Sequence, residues 1–159
     1  MSLSRAHIAG VFDSDGSFSI VRHKRIGSLR GFEYRVVLQL TWREVPQTVL
    51  VLRELKRMYG GSVIRGIERH GFSKHTKYAK YRIDATDARV LISDVLPYLR
   101  VKRKQALLCL KASLIISQRR YGRWNPRPEE EWLELEKLHE LVGYLNWKNG
   151  KGRKKSQRN

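Results

Sequence analysis

Cysteine is almost missing from this chain: Cys109, in the stretch ALLCL, is the single one among 159 residues. No disulfide can close within one chain, and no cysteine-based metal site can form. A reducing compartment is the natural setting. Long hydrophobic runs are also missing. Apolar residues make up 41% of the chain, yet no run approaches the roughly 18 residues that a membrane-spanning helix needs. The amino-terminal stretch MSLSRAHIAG has no basic start followed by a long apolar core, so no secretory signal is expected. No basic helix carries a large exposed apolar face, which argues against a membrane surface as partner. The histidines His7, His23, His70, His75 and His139 show no metal-ligand spacing. No aromatic run suits the stacking of single-stranded bases.

Acids are scarce too. Fifteen Asp and Glu stand against 33 Lys and Arg, a net charge of +18. Solubility does not require such an excess, and it points to a polyanion, with nucleic acid ahead of membrane. The acids are also clustered. Six of the 15 lie between Glu129 and Glu140, in PEEEWLELEKLHEL. There Trp132, Leu135, Leu138, Leu141 and Val142 recur at helical spacing, which predicts an amphipathic surface helix facing away from the polyanion. Pro128 and the three following Glu suit its first turn. Residues 147–159 form a basic tail without acids, predicted to be flexible when free and available to phosphates. Residues 1–146 are long enough for one domain with one core.

The remaining pattern reads as alternating elements. Residues 3–13 form a helix and residues 17–26 a strand. In residues 33–43, EYRVVLQLTWR, Val36, Leu38, Leu40 and Trp42 share one face, and Arg35, Val37, Gln39, Thr41 and Arg43 share the other. GSLRG between the strands predicts a hairpin. A helix follows from Pro46, with Leu52, Leu55 and Met58 as its buried stripe and Gly60 and Gly61 as its stop. A second hairpin pairs residues 62–70 with 77–84. Thr86 then caps a helix from Asp87 to Leu96, ended by Pro97, and a long apolar helix starts at Lys104. The order is α+β: a four-stranded antiparallel sheet with helices on one face and the other face uncovered. That open face is predicted to carry Ser19, His23, Arg22 or Arg25, Arg35, Gln39, Thr41, Arg43, Arg65, Arg69, Lys80 and Arg82. A merely solvated face mixes both signs of charge. A β-ribbon of this composition suits the major groove, where Arg and Gln make paired hydrogen bonds to base edges.

One stretch opposes the trend. HIAGVFDSDGSFSI (residues 7–20) places Asp13 and Asp15 at the carboxyl end of the first helix. Unpaired carbonyls make that end partly negative, so acids are misplaced there. A turn bent by Asp is the commonest structural reason. A calcium loop fails on spacing, because the twelfth position from Asp13 is Lys24. A divalent cation held by Asp15 would offset the dipole and bring charge to a phosphate. Ala9 and Gly10 are small enough to let another backbone approach.

IAGVFDSDGS resembles the signature of the LAGLIDADG homing endonucleases. The resemblance extends to the element order of residues 3 to about 145. It takes in LPYLRVKRKQALLCLK, which is similar to the start of the fifth helix in small single-motif members. It implies the αββαββα fold with a saddle-shaped sheet, and a homodimer built on the first helix through Ile8, Ala9, Gly10, Phe12 and Asp13. It implies an intron-encoded, site-specific endonuclease that binds a long pseudo-palindromic double-stranded DNA site. Both strands would be hydrolysed with Mg²⁺, or Mn²⁺ in its place, leaving short 3′ overhangs. Asp15 and the backbone carbonyl of Ser14 would be the metal ligands, and Asp13 a structural support. Lys102 would be the active-site lysine, and Glu44 would stand where relatives often carry Gln. Thr48 falls near a position that is basic in some relatives, and Ser14 replaces a Gly. The resemblance places the chain inside the cell, in cytoplasm or a DNA-containing organelle, with no small-molecule substrate. An RNA maturase or a non-cleaving DNA-binding protein of the same fold is the alternative. An unrelated basic RNA-binding protein is a third possibility.

Overall fold

The computed structural model describes residues 3–67, 76–118 and 125–156. The chain runs α1 (Arg5–Ser14), β1 (Gly16–Lys24), β2 (Phe32–Arg43), α2 (Pro46–Tyr59), β3 (Ser62–Ile67), β4 (Lys77–Asp84), α3 (Ala85–Val95), α4 (Arg103–Ser117) and α5 (Glu129–Ser156), with one 3₁₀ turn at Leu96–Tyr98. The four strands form one antiparallel sheet in the order β1-β2-β4-β3. Among the described residues, no helix is long and apolar enough to cross a membrane.

Period-two alternation decides which sheet face the helices cover. In β2, Tyr34, Val36, Leu38 and Leu40 are buried, and the register sets Phe18 opposite Leu38 and Tyr81 opposite Leu40. All five helices pack on this side. α1 contributes Ile8, Ala9 and Phe12, and Phe12 meets Phe18 at 5.6 Å between ring centroids. α2 contributes Leu52 and Leu55, α3 Leu91 and Ile92, α4 Ala106, Cys109 and Ala112, and α5 Leu135, Leu138 and Val142. Burial pushes the Cys109 thiol up to about 12, so the nucleophilic thiolate is scarce at neutral pH. Cys109 should therefore resist a thiol reagent in the folded chain and react fully in denaturant, as a colorimetric thiol assay would read out. Fast native labelling would contradict this core.

Two boundaries differ from the pattern-based expectation. β4 leads directly into α3, with Asp84 still paired opposite Val37 and the turn made at Ala85, whose φ is 54°. Thr86 thus lies inside the first turn of α3 and is not its cap. α2 does begin at Pro46, and Gly60 and Gly61 end it, both at positive φ. A Cβ on Gly61 would lie 2.6 Å from the Arg82 carbonyl. The second difference is at the carboxyl end, where α5 continues through Ser156 with no break at residue 146. The three Glu of its first turn suit the helix dipole.

α5 lies against β1, an edge strand with a row of unpaired backbone groups. Asn146 Nδ2 donates to the Phe18 carbonyl at 2.9 Å, and His139 Nδ1 lies 2.6 Å from the Ile20 carbonyl. Two side chains seven residues apart, two helical turns, thereby cover alternate carbonyls of the edge. Arg22 joins this seam. It lies opposite Tyr34 on the helix-covered side, donates to the Tyr34 hydroxyl at 3.3 Å and pairs with Glu136 of α5. Arg22 is therefore not a cation of the open face.

Candidate active site and nucleic-acid face

α1 is capped at its start by Ser4, whose hydroxyl oxygen accepts from the His7 N–H at 3.2 Å. At its other end the chain passes straight into β1. Gly16 makes this possible: a Cβ there would sit 2.7 Å from the Phe12 backbone Cα and 2.4 Å from its ring. Gly16→Ala should cost about 1–3 kcal/mol by overcrowding, read as a lowered melting temperature. An unchanged melt would refute the close packing of this turn.

Asp15 occupies the carboxyl cap of α1, exposed at its tip. Its Oδ2 accepts a hydrogen bond from the Trp42 Nε1–H at 3.0 Å. Lys102, just ahead of α4, meets the same helix end. Its ammonium donates to three backbone carbonyls: Phe12 at 3.0 Å, Ser14 at 3.3 Å and Gly16 at 2.6 Å. Phe12 and Ser14 belong to the last turn of α1, and Gly16 opens β1; the last carbonyls of a helix lack the full set of intrahelical donors. A cation there opposes the negative end of the dipole. The electrostatic misplacement of the acids is thus answered from residue 102, far along the chain. Asp13 anchors that answer. Its two oxygens accept from the backbone N–H groups of Arg100 at 2.8 Å and Lys102 at 2.9 Å, holding the 100–102 loop against α1.

The Ser14 hydroxyl turns back and donates to the Val11 carbonyl at 3.0 Å. Thr48 does similar local work at the start of α2. Its hydroxyl oxygen accepts from the Val45 N–H at 3.1 Å and lies 2.9 Å from the Arg43 carbonyl. Glu44 is bound by Arg65, whose Nε donates to it at 2.9 Å and whose terminal nitrogen pairs with the same oxygen. The Arg65 guanidinium holds the Glu44 carboxyl below the usual carboxylate range.

The donors at the end of α1, the Asp15 carboxylate and the Ser14 carbonyl, are oxygens, as a hard divalent cation requires. A carbonyl has two lone pairs, and that of Ser14 accepts from Lys102 at 3.3 Å. Among the described residues, no cluster of three or more His, Cys, Asp or Glu could hold a metal ion. A cation here would take its other ligands from water and phosphate, which is the habit of Mg²⁺.

The open sheet face carries most of the expected side chains. Register sets Gln39 opposite Arg82 and Thr41 opposite Lys80, with Ser19, His23, Arg35 and Arg43 on the same side by alternation. Arg25 follows β1, and with Arg35 it pairs with Glu33. Burial would raise the Glu33 carboxyl, but the Arg35 and Arg25 guanidiniums outweigh it and hold it below its ordinary value. Arg65 departs from expectation. It pairs opposite Ala79, on the helix side, and Ile64, about half exposed, takes the outward position. The cause is a one-residue parity in β3, which moves a side chain across the sheet. Arg69 lies outside the described residues.

The dimer surface also needs correction. Ile8, Ala9 and Phe12 are at most 1% exposed, all consumed by the chain's own core. Asp13 is occupied by the 100–102 loop. Gly10 alone of that set faces outward, and a Cβ on it would meet nothing within 4 Å among the described residues. Its exposed neighbours on α1 are Ala6, His7 and Ser14. Pattern reading also missed Trp42, which alternation grouped with the buried Val36, Leu38 and Leu40. The signal was available in strand length: β1 begins at Gly16 opposite Leu40, and β2 continues past it.

A carboxylate-tipped helix set at one end of a basic, four-stranded antiparallel sheet defines the homing-endonuclease fold, and this chain has it. Solved structures agree. The homing endonuclease I-CvuI, in complex with its target in the presence of Ca, superposes with a TM-score of 0.66 at 22% identity, covering 89% of this chain and 80% of that one. The homing endonuclease I-TnaI gives 0.63 at 14% identity, covering 93% and 99%. The LAGLIDADG meganuclease I-CpaMI, bound to uncleaved DNA, gives 0.55 at 22% identity over 72% of this chain and 37% of its own longer chain. No family model and no curated protein matches the sequence.

Proposed function

We propose that this chain is a LAGLIDADG homing endonuclease that binds a long, pseudo-palindromic double-stranded DNA site as a homodimer and hydrolyses both strands. The observation that carries this reading is the placement of Asp15 and Lys102 at one helix end, beside an open sheet face bearing Arg35, Gln39, Thr41, Arg43, Lys80 and Arg82. The DNA backbone would meet the cations, and Gln39, Arg82 and their neighbours would reach base edges in the major groove. Asp15 and the Ser14 carbonyl would hold Mg²⁺, with Mn²⁺ able to replace it. When bound, the cation polarises the scissile phosphoryl group and lowers the pKa of an attacking water. Lys102 keeps the end of α1 rigid and adds positive charge where the phosphate gains negative charge. Glu44, drawn to Arg65, is a water-ordering group in this scheme and not a metal ligand. The cut leaves short 3′ overhangs. Work on DNA places the protein inside the cell.

A second copy would complete this site through α1. Gly10 costs a lone helix about 1 kcal/mol relative to Ala, and among the described residues it makes no close contact that explains it. A partner α1 crossing at Gly10, Ala6 and Ser14 explains it, and sets two Asp15 carboxylates about a two-fold axis. Gly10→Leu should weaken self-association at least tenfold by sedimentation analysis and abolish double-strand cutting, while Gly10→Ala raises the melting temperature of the dilute monomer. A variant that cuts both strands as well as the parent would remove the dimer axis from this helix.

The test of the function is cleavage selection from a randomised duplex library with Mg²⁺. Recovery of one pseudo-palindromic site with paired cuts supports it. Selective binding with no cutting at any Mg²⁺ or Mn²⁺ concentration would make the chain a DNA-binding protein of this fold.

A further inference from the structure

The indole of Trp42 has no role in the scheme above, yet its placement is specific. The ring belongs to the helix-covered face of the sheet, at the end where β1 has already stopped. Its pairing partner on β4 is Ala79, a fully buried residue with no side chain beyond Cβ. The half-buried ring reaches the tip of α1, and its Nε1–H donates to Asp15 Oδ2 at 3.0 Å. An indole donates only and carries no charge. It therefore fixes the rotation of a carboxylate without cancelling its charge, which a Lys or Arg in that place would do.

We propose that Trp42 is a positioning residue for Asp15, holding the carboxylate by one oxygen in the rotation in which it binds a divalent cation. The proposal rests on Asp15 being the metal-binding carboxylate. Hydrogen bonds to a ligating side chain orient it and raise its affinity, and their loss typically costs about 10–100-fold.

The test uses the full chain and Tb³⁺, a hard oxygen-seeking ion whose emission is excited through a nearby indole. Bound ion is measured by equilibrium dialysis and emission in parallel. Three variants are compared: Asp15→Asn, Trp42→Phe, and a chain with benzothienylalanine at position 42, which keeps the ring shape and lacks the N–H. Thermal melts confirm folding. The expected result is that Asp15→Asn removes both binding and emission, and that both replacements at position 42 weaken Tb³⁺ binding about tenfold. If both bind Tb³⁺ like the parent while Asp15→Asn does not, the proposal fails and Asp15 keeps its role. If Trp42→Phe alone weakens binding, packing and not the N–H is responsible, and the proposal fails. If Asp15→Asn binds like the parent, the metal-binding role of Asp15 itself is overturned.

Discussion

Asp15→Asn should bind its selected DNA site at least as tightly as the parent chain and cut it slower by about 10³-fold or more, the several kcal/mol that metal-assisted charge stabilisation supplies. Asn has nearly the shape of Asp, and its carbonyl oxygen can still accept from the Trp42 indole. The helix end and the sheet face therefore stay in place. What disappears is one negative charge among phosphates, and with it the strongest oxygen donor for a hard cation. Removing a like charge beside DNA strengthens binding slightly, most at low salt. Gel-shift titration in Ca²⁺ and single-turnover cleavage in Mg²⁺ separate the two effects. Cutting within threefold of the parent would sink the assignment of Asp15.

Lys102→Met should lower stability by about 1.5–3 kcal/mol, the range for hydrogen bonds to a charged group. For a chain of this size that shifts the melting temperature by about 5 °C. Met keeps most of the apolar stem, so the loss reports the ammonium and not packing. The Phe12, Ser14 and Gly16 carbonyls lose the ammonium, and the negative end of the helix again faces Asp15 with no cation from this loop. Cleavage should fall about 10²-fold as well, because charge developing at phosphate loses a fixed donor. A lysine that served only as a phosphate contact would leave the melt of the free protein unchanged while weakening DNA binding. Differential scanning calorimetry without DNA decides between them.

The element order was legible because it is written in local periods. Val36, Leu38 and Leu40 alternate as a half-buried strand, and Leu52 and Leu55 sit three apart on one helix stripe; both patterns arise within a few residues. Boundaries were less legible where a neighbour sets them. Thr86 has the chemistry of a cap, yet β4 pairing extends to Asp84 and makes the turn at Ala85. Ile8, Ala9 and Phe12 form an apolar run equally suited to a core or a partner, and the choice depends on Phe18 being across from them. Arg65 looks like another basic residue of an alternating strand. Its side of the sheet depends on the register of β3 against β4.

The sequence by itself determined the α+β order, the excess of positive charge and the placement of two acids at the end of the first helix. These follow from composition and from side-chain spacing along one backbone. Tertiary structure alone decided how those acids divide their tasks. Asp13 holds a loop that delivers Lys102, Lys102 satisfies the carbonyls of α1, and Trp42 grips Asp15. Residues 13–16, 42 and 100–102 meet only when the sheet and helices have packed, and a hydrogen bond acts over about 3 Å. No period in the chain records such a meeting.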